Sequence, residues 1–178
     1  VILLGALVLM LPFSSKDGQV TPFIDALFTA TSATCVTGLI VHDTATYWSG
    51  FGQGVILLLI QIGGMGVITI AILLTRMSGR KISLKWRTIM QEAISAPKMQ
   101  GIVKLTGFIV KTIVIIELAG AALMYPVFAE KVGFLKGIWY SVFHSVSAFC
   151  NAGFDLMGIK GKYSSLTTVS TSVVINVV

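Results

Sequence analysis

One eleven-residue stretch of this chain occurs twice. Residues 28–38 read Phe28-Thr29-Ala30-Thr31-Ser32-Ala33-Thr34-Cys35-Val36-Thr37-Gly38, and residues 143–153 read Phe143-His144-Ser145-Val146-Ser147-Ala148-Phe149-Cys150-Asn151-Ala152-Gly153. Phe, Ser, Ala, Cys and Gly coincide at one constant offset of 115 residues (143 − 28). Self-similarity at a fixed period constrains architecture before any local reading does. Each copy lies between hydrophobic stretches and ends in a glycine. A short helix that breaks into a glycine-bearing extended segment at membrane depth, made twice, is the way a cation filter is built.

Composition supplies the solvent. Hydrophobic residues make up 55% of the chain and charged residues 11%, where a soluble domain carries about 25% charged residues. With a mean hydropathy of +0.91, the reading is an integral membrane protein. The apolar runs 1–13 and 172–178 are expected to belong to spans of a longer polypeptide. A signal peptide would want a basic region before the first run and a small-residue cleavage site after it, and this run has neither.

The net charge of +6 is uneven: of thirteen Lys and Arg, seven fall in residues 76–104, namely Arg76, Arg80, Lys81, Lys85, Arg87, Lys98 and Lys104, with Glu92 as the one acid. The positive-inside rule makes that stretch cytoplasmic. Its juxtamembrane position accounts for the charge without nucleic acid. Cys35 and Cys150 occupy equivalent repeat positions and show neither metal spacing nor a disulfide framework.

Thr21 reads as an N-cap with Pro22 at the first helical position. A helix over 22–34 would be about 20 Å long, too short for a hydrocarbon core of about 30 Å. Residues 51–74 carry no charge and are long enough to span. They contain the run Gln61-Ile62-Gly63-Gly64-Met65-Gly66, whose glycines serve either close helix packing or a hinge. With 76–104 inside and 51–74 spanning, residues 22–41 must enter and leave from the outer face. Irregular backbone at that depth has to line a cavity or be buried in protein. The second unit repeats the plan. Residues 104–129 form a span with Lys111 snorkelling, 130–136 an outer turn, 137–149 a second short helix, 150–154 a second extended strand, and 164 onward another span. Between the units, 83–96 are expected to form a short surface helix with Trp86 and Ile89 in lipid.

Two crossings per unit return the chain to the same side, so the units are parallel repeats, as suits a pore. Each short helix points its negative C-terminal end inward. The strand after it can aim main-chain carbonyls at an ion. The carbonyl-bearing candidates are Val36, Thr37, Gly38 and Leu39 in the first copy, and Asn151, Ala152, Gly153 and Phe154 in the second. Cys35 and Cys150 support them from behind. The competing reading of each glycine is a helix C-cap. Glu117 lies in a span and is either a transport group or a hydrogen-bond brace for the filter loop of its own unit. His144 reads as a packed, hydrogen-bonded histidine, and the Asn151 amide as a brace. No nucleophile–base pair or metal cluster points to an enzyme.

The segments Thr34-Cys35-Val36-Thr37-Gly38-Leu39 and Phe149-Cys150-Asn151-Ala152-Gly153-Phe154, with the glycine run after Gln61, resemble the Trk/Ktr/HKT superfamily of potassium and sodium transporters, most closely its bacterial Ktr membrane subunits. The resemblance implies an all-α polytopic protein of the cell membrane, with four helix–re-entrant pore loop–helix units around a pseudo-fourfold pore. It implies filter segments facing outside and one filter glycine per unit, Gly38 and Gly153 being the first two. Residues 1–75 would be the first unit, 76–100 a cytoplasmic basic linker and 101–178 the second unit. It further implies K+ as the transported ion, Na+ as a coupling or activating ion, and no covalent cofactor. The implied partners are a second copy and a cytoplasmic ring of nucleotide-binding regulatory subunits. Competing functions are a two-unit chain that dimerises into one pore, a proton- or sodium-coupled solute carrier using Glu117, and a membrane enzyme.

Overall fold

The computed structural model describes residues 1–66, 102–159, 161 and 172–177. The expected surface helix at 83–96 and almost all of the basic stretch lie outside those residues. The chain divides into two compact units, one of Val1–Gly64 with Glu117–Val178, the other Met65–Ile116. Both copies of the repeat fall in the first.

The described residues are helical: α1 (Ile2–Leu9), a 3-10 turn (Pro12–Ser14), α2 (Phe23–Thr34), α3 (Gly50–Met65), α4 (Ile102–Val132), α5 (Phe134–Phe149), a second 3-10 turn (Met157–Ile159) and α6 (Val173–Val177). Among the described residues α4 alone contains a stretch long and apolar enough to cross a membrane, Leu105–Val132. Its 31 residues extend about 46 Å. α3 is shorter, and the rest of the expected 51–74 span lies outside the described residues.

Polar residues enter these apolar helices by bonding their own backbone. Thr29 and Thr31 donate to the carbonyls of Asp25 and Leu27, at 2.9 and 2.7 Å, and Ser141 to that of Gly137 at 2.7 Å. Each bond spans one helical turn and satisfies the hydroxyl locally; the buried Thr34 hydroxyl at the end of α2 has no partner among the described residues. The buried face of α2 is Ala26, Thr29, Ala30, Ser32 and Ala33, small residues that admit close neighbours; α1 packs on this helix. Below it, Leu9, Trp48, Ile56, Ile60, Phe128, Phe143 and Leu156 form the core. Large side chains on the outside, such as Leu4, Ile24, Leu123 and Leu135, are well exposed, as a lipid solvent permits.

Four local expectations are corrected. No strand forms at 35–39 or 150–154; the one ladder contact among the described residues is the isolated antiparallel bridge between Ser15 and Trp48. α2 begins at Phe23 with Pro22 as its cap residue and no side-chain cap bond. Thr21 instead accepts a hydrogen bond from the Tyr47 hydroxyl at 3.1 Å. The outer turn shrinks to Gly133, at φ +87°, because α4 runs on to Val132 and α5 starts at Phe134. A glycine there permits the reversal, and Gly137 then lies against the Ala129 backbone, where an added Cβ would stand 2.8 Å from Cα.

Candidate cation-coordinating site

Both short helices end in the same hydrogen-bonded cap. In the first, Thr37 N–H donates to Ser32 O at 3.0 Å and Val36 N–H to Ala33 O at 3.3 Å. In the second, Ala152 N–H donates to Ser147 O at 2.7 Å and Asn151 N–H to Ala148 O at 2.9 Å. This six-to-one, five-to-two pairing is a Schellman motif, and the residue just past the cap must be left-handed. Val36 has φ +57° and Asn151 φ +54°. The glycines are therefore not the helix caps. They lie two residues further on and are left-handed as well, Gly38 at φ +73° and Gly153 at +71°.

Negative and positive φ thus alternate at equivalent positions. Cys35 is at φ −87°, ψ 0° and Cys150 at φ −77°, ψ −5°, before the left-handed Val36 and Asn151. Two positive-φ residues in each segment are incompatible with a strand. Valine is the costlier occupant, since a β-branched residue in this region is an outlier and the conformation costs an L-residue about 1–2 kcal/mol. Such a geometry persists where its surroundings over-determine it.

Hydrogen-bond accounting separates the two sides of each turn. The N–H groups of Cys35, Val36, Thr37, Cys150, Asn151 and Ala152 all go to carbonyls of the preceding helix. Among the described residues, no hydrogen bond reaches the carbonyls of Val36, Thr37, Gly38, Asn151, Ala152 or Gly153. Phe154 is different, for its carbonyl takes the Ser147 hydroxyl at 2.6 Å. In the first copy Ser32 instead meets the Thr37 hydroxyl at 2.9 Å. Leu39 and Thr37 are exposed, while Ala152 and Phe154 are buried.

The structure brings the two segments together at their glycines. A Cβ on Gly38 would stand 2.7 Å from Ala152 O and 3.2 Å from Gly153 Cα; one on Gly153 would stand 3.3 Å from Gly38 Cα. The glycine run of α3 closes on both turns from behind. Gly63 abuts the Thr34 carbonyl and Gly64 abuts Cys150 Sγ, neither leaving room for a Cβ. The packing reading of that run thus describes Gly63 and Gly64.

Glu117 is buried, and both its carboxylate oxygens accept from Gln61 Nε2, at 2.8 and 3.1 Å. Its main-chain carbonyl accepts from Ser145 Oγ at 2.6 Å. Among the described residues its carboxylate meets α3 and not the filter loop of its own unit, which the bracing reading expected; its main-chain carbonyl is held by α5. His144 is the packed histidine expected. Its Nδ1 lies 2.7 Å from Tyr140 O, and its Nε2 accepts the Leu156 N–H at 3.2 Å. An accepting Nε2 makes the ring neutral with its proton on Nδ1, and Phe128 stacks on it at 4.7 Å. The Asn151 side chain is exposed and has no hydrogen-bond partner among the described residues; what it contributes is tolerance of the left-handed cap.

Sequence reasoning missed three features. One is the pair His42 Nε2–Asp25 Oδ2 at 2.8 Å, which ties the segment after Gly38 to the first turn of α2. Another is Gln53, which takes the Trp139 N–H at 2.9 Å and donates to the carbonyls of Thr44 and Trp48, each at 3.2 Å. The third is the left-handed Val36. Ser32 and Ser147 were visible as repeat identities; valine gives no signal of an αL position.

Residues 3–178 match the family of TrkH cation transport proteins. The chain is 50% identical over 157 residues to the potassium/sodium uptake protein NtpJ of Enterococcus hirae, covering 88% of this chain and 35% of that protein. It is 45% identical over 155 residues to the Ktr system potassium uptake protein B of Bacillus subtilis, covering 87% and 34%. The protein of that name from Vibrio alginolyticus is 37% identical over 156 residues, covering 88% and 34%. The chain belongs to the TrkH family of cation transporters, and with it to the membrane. It spans about a third of the length of these curated relatives.

Proposed function

We propose that this chain provides two of the four filter-bearing units of a channel-like potassium uptake subunit. The observation that carries the reading is the pair of left-handed turns at one sequence offset, with amides consumed and carbonyls open, meeting at Gly38 and Gly153. In a regular strand successive carbonyls face opposite ways; alternating the sign of φ turns them toward one side. A row of open carbonyls replaces an ion's hydration shell, and their number and placement discriminate between ions. The coordinating carbonyls are those of Val36, Thr37 and Gly38, and of Asn151, Ala152 and Gly153. Leu39 and Phe154 bound the two rows, and Cys35 and Cys150 support them.

Residues 1–75 and 101–178 are then two parallel helix–re-entrant–helix units joined by the cytoplasmic linker 76–100, with the filter facing outside. K+ is the transported ion, with Na+ as a coupling or activating ion, in line with the names of the relatives. The working assembly is a homodimer on a cytoplasmic nucleotide-binding ring, consistent with relatives named as parts of a Ktr system. The test is potassium flux through the complete polypeptide in liposomes with no organic solute present. Saturable K+ entry down its gradient, competed weakly by Na+, is expected; transport that requires an organic solute refutes the reading.

A further inference from the structure

One polar pair sits behind both turns. Gln61 lies on α3 two residues before Gly63, which abuts the Thr34 carbonyl, and three before Gly64, which abuts Cys150 Sγ. Thr34 is the last residue of α2, and Cys150 is the cap residue of α5. The seat of α3 therefore fixes how closely each turn is backed. Gln53 and the buried Ile56 and Ile60 hold the first half of α3. At the glycine run, where no side chain interlocks, Gln61 is the polar anchor, donating to both oxygens of Glu117 at 2.8 and 3.1 Å.

Glu117 is itself anchored. Ser145 on α5 donates to its main-chain carbonyl at 2.6 Å. Two residues on, Ser147 receives the Ala152 N–H on its carbonyl and donates its hydroxyl to Phe154 O. A short path of polar contacts thus runs from Gln61 through Glu117 and α5 to the second turn, while the glycines carry α3 to both. We infer that Gln61 and Glu117 are positioning residues that set the spacing of the two turns, and hence ion discrimination, without touching the ion. The inference rests on the filter reading of those turns.

Reversing the pair tests it. Gln61→Glu sets two carboxylates face to face; adding Glu117→Gln restores one amide facing one carboxylate with the roles exchanged. In the complete polypeptide in liposomes, K+ over Na+ preference is measured by flux competition, beside the amount of inserted monodisperse protein. Gln61→Glu is expected to lower the preference about tenfold, the scale of one charge-assisted hydrogen bond, and the double swap to bring it within about twofold of the native value. A merely structural pair would change the amount of inserted protein and leave the preference of the remainder unaltered. Where Gln61→Glu does not insert, the isosteric Glu117→Gln and the swap carry the test. Native preference in every inserted variant overturns the inference, and so does a swap that inserts well without regaining preference. Gly38→Ser, run in parallel, separates the two ideas: if it shifts preference while the pair variants do not, the positioning role fails and the filter stands. If neither shifts it, the filter reading fails.

Discussion

The turn after α2 and the turn after α5 share a main chain and differ in almost everything that holds it. Their caps, left-handed positions and open carbonyls correspond residue for residue. Their supports do not. Val36 stands where the second copy has Asn151, and exposed Leu39 where it has buried Phe154. Ser32 braces a side chain, Ser147 a carbonyl. The first outer segment is tied by the half-exposed His42–Asp25 pair, the second by a buried neutral histidine. A backbone kept constant over varied props is what the proposed carbonyl filter would demand, since an ion there would feel oxygens and not the identity of the side chains behind them. The two copies are therefore expected to respond in the same direction and to different degrees.

The widest gap is expected between the histidines. His144→Ala removes a buried ring stacked on Phe128 and strands the Leu156 amide. Cavity and lost bonds together cost about 3 kcal/mol. His42→Ala loses a part-exposed pair worth about 0–1 kcal/mol, together with a stacked contact on Tyr47. Melting temperatures of the two purified variants in detergent check this. Equal losses would mean that the first outer segment is as firmly built as the second.

The glycines come next. Serine at either position carries the left-handed penalty of about 1–2 kcal/mol. At Gly38 the new Cβ also meets the Ala152 carbonyl at 2.7 Å, while at Gly153 the nearest atom is Gly38 Cα at 3.3 Å. Gly38→Ser should therefore impair K+ over Na+ preference more than Gly153→Ser. Gly18→Ser is the matched control, for Gly18 has φ +67° and nothing within 4 Å. Ion competition on all three ranks them, and a Gly18 effect as large as that at Gly38 would break the argument.

The serines sharpen the same contrast on a smaller scale. Ser147→Ala removes the partner of a buried carbonyl, at about 1–3 kcal/mol. Ser32→Ala leaves the exposed Thr37 hydroxyl to be satisfied from outside, at well under about 1 kcal/mol. Chemical unfolding that ranks Ser32 above Ser147 would contradict the assigned supports.

The repeat, the two short helices and the α4 span were legible because each rests on local signals: an offset of identities, helix length against bilayer thickness, a long apolar run. His144 was legible because a lone histidine in a helix among apolar residues has few options besides backbone partners. The conformation of 35–39 and 150–154 was not. β-Branched Val36 and Thr37 read as a strand by propensity, and tertiary context overrode it. The carbonyls of α2 and α5 take the next amides, which leaves none to pair with a neighbouring strand. Asn151 is a residue that favours an αL cap and offered the one hint. The Gln61–Glu117 bond joins residues 56 apart in sequence, a separation at which periodicity carries no information.

The smallest expected effect bears on the only cap position at which the two copies differ in strain. Val36→Asn places in the first turn the residue that the second already uses. Relief of the left-handed penalty favours the variant by about 1–2 kcal/mol. Against this, Val36 is partly buried and packs on the core, and a half-lost valine contact costs about 1 kcal/mol. The balance is a stabilisation of about 0.5 kcal/mol, close to what a melting curve resolves. Ion preference should stay at the native value, because the backbone angle is already the one asparagine prefers. The reciprocal Asn151→Val should destabilise more than Val36→Asn stabilises, since that side chain is exposed and valine there has no core contact to recover. If Val36→Asn were destabilising with preference intact, the valine methyls would be what holds the first turn. If it shifted preference, strain at Val36 would itself be tuning the carbonyls, and the two copies would be unequal in backbone as well as in support.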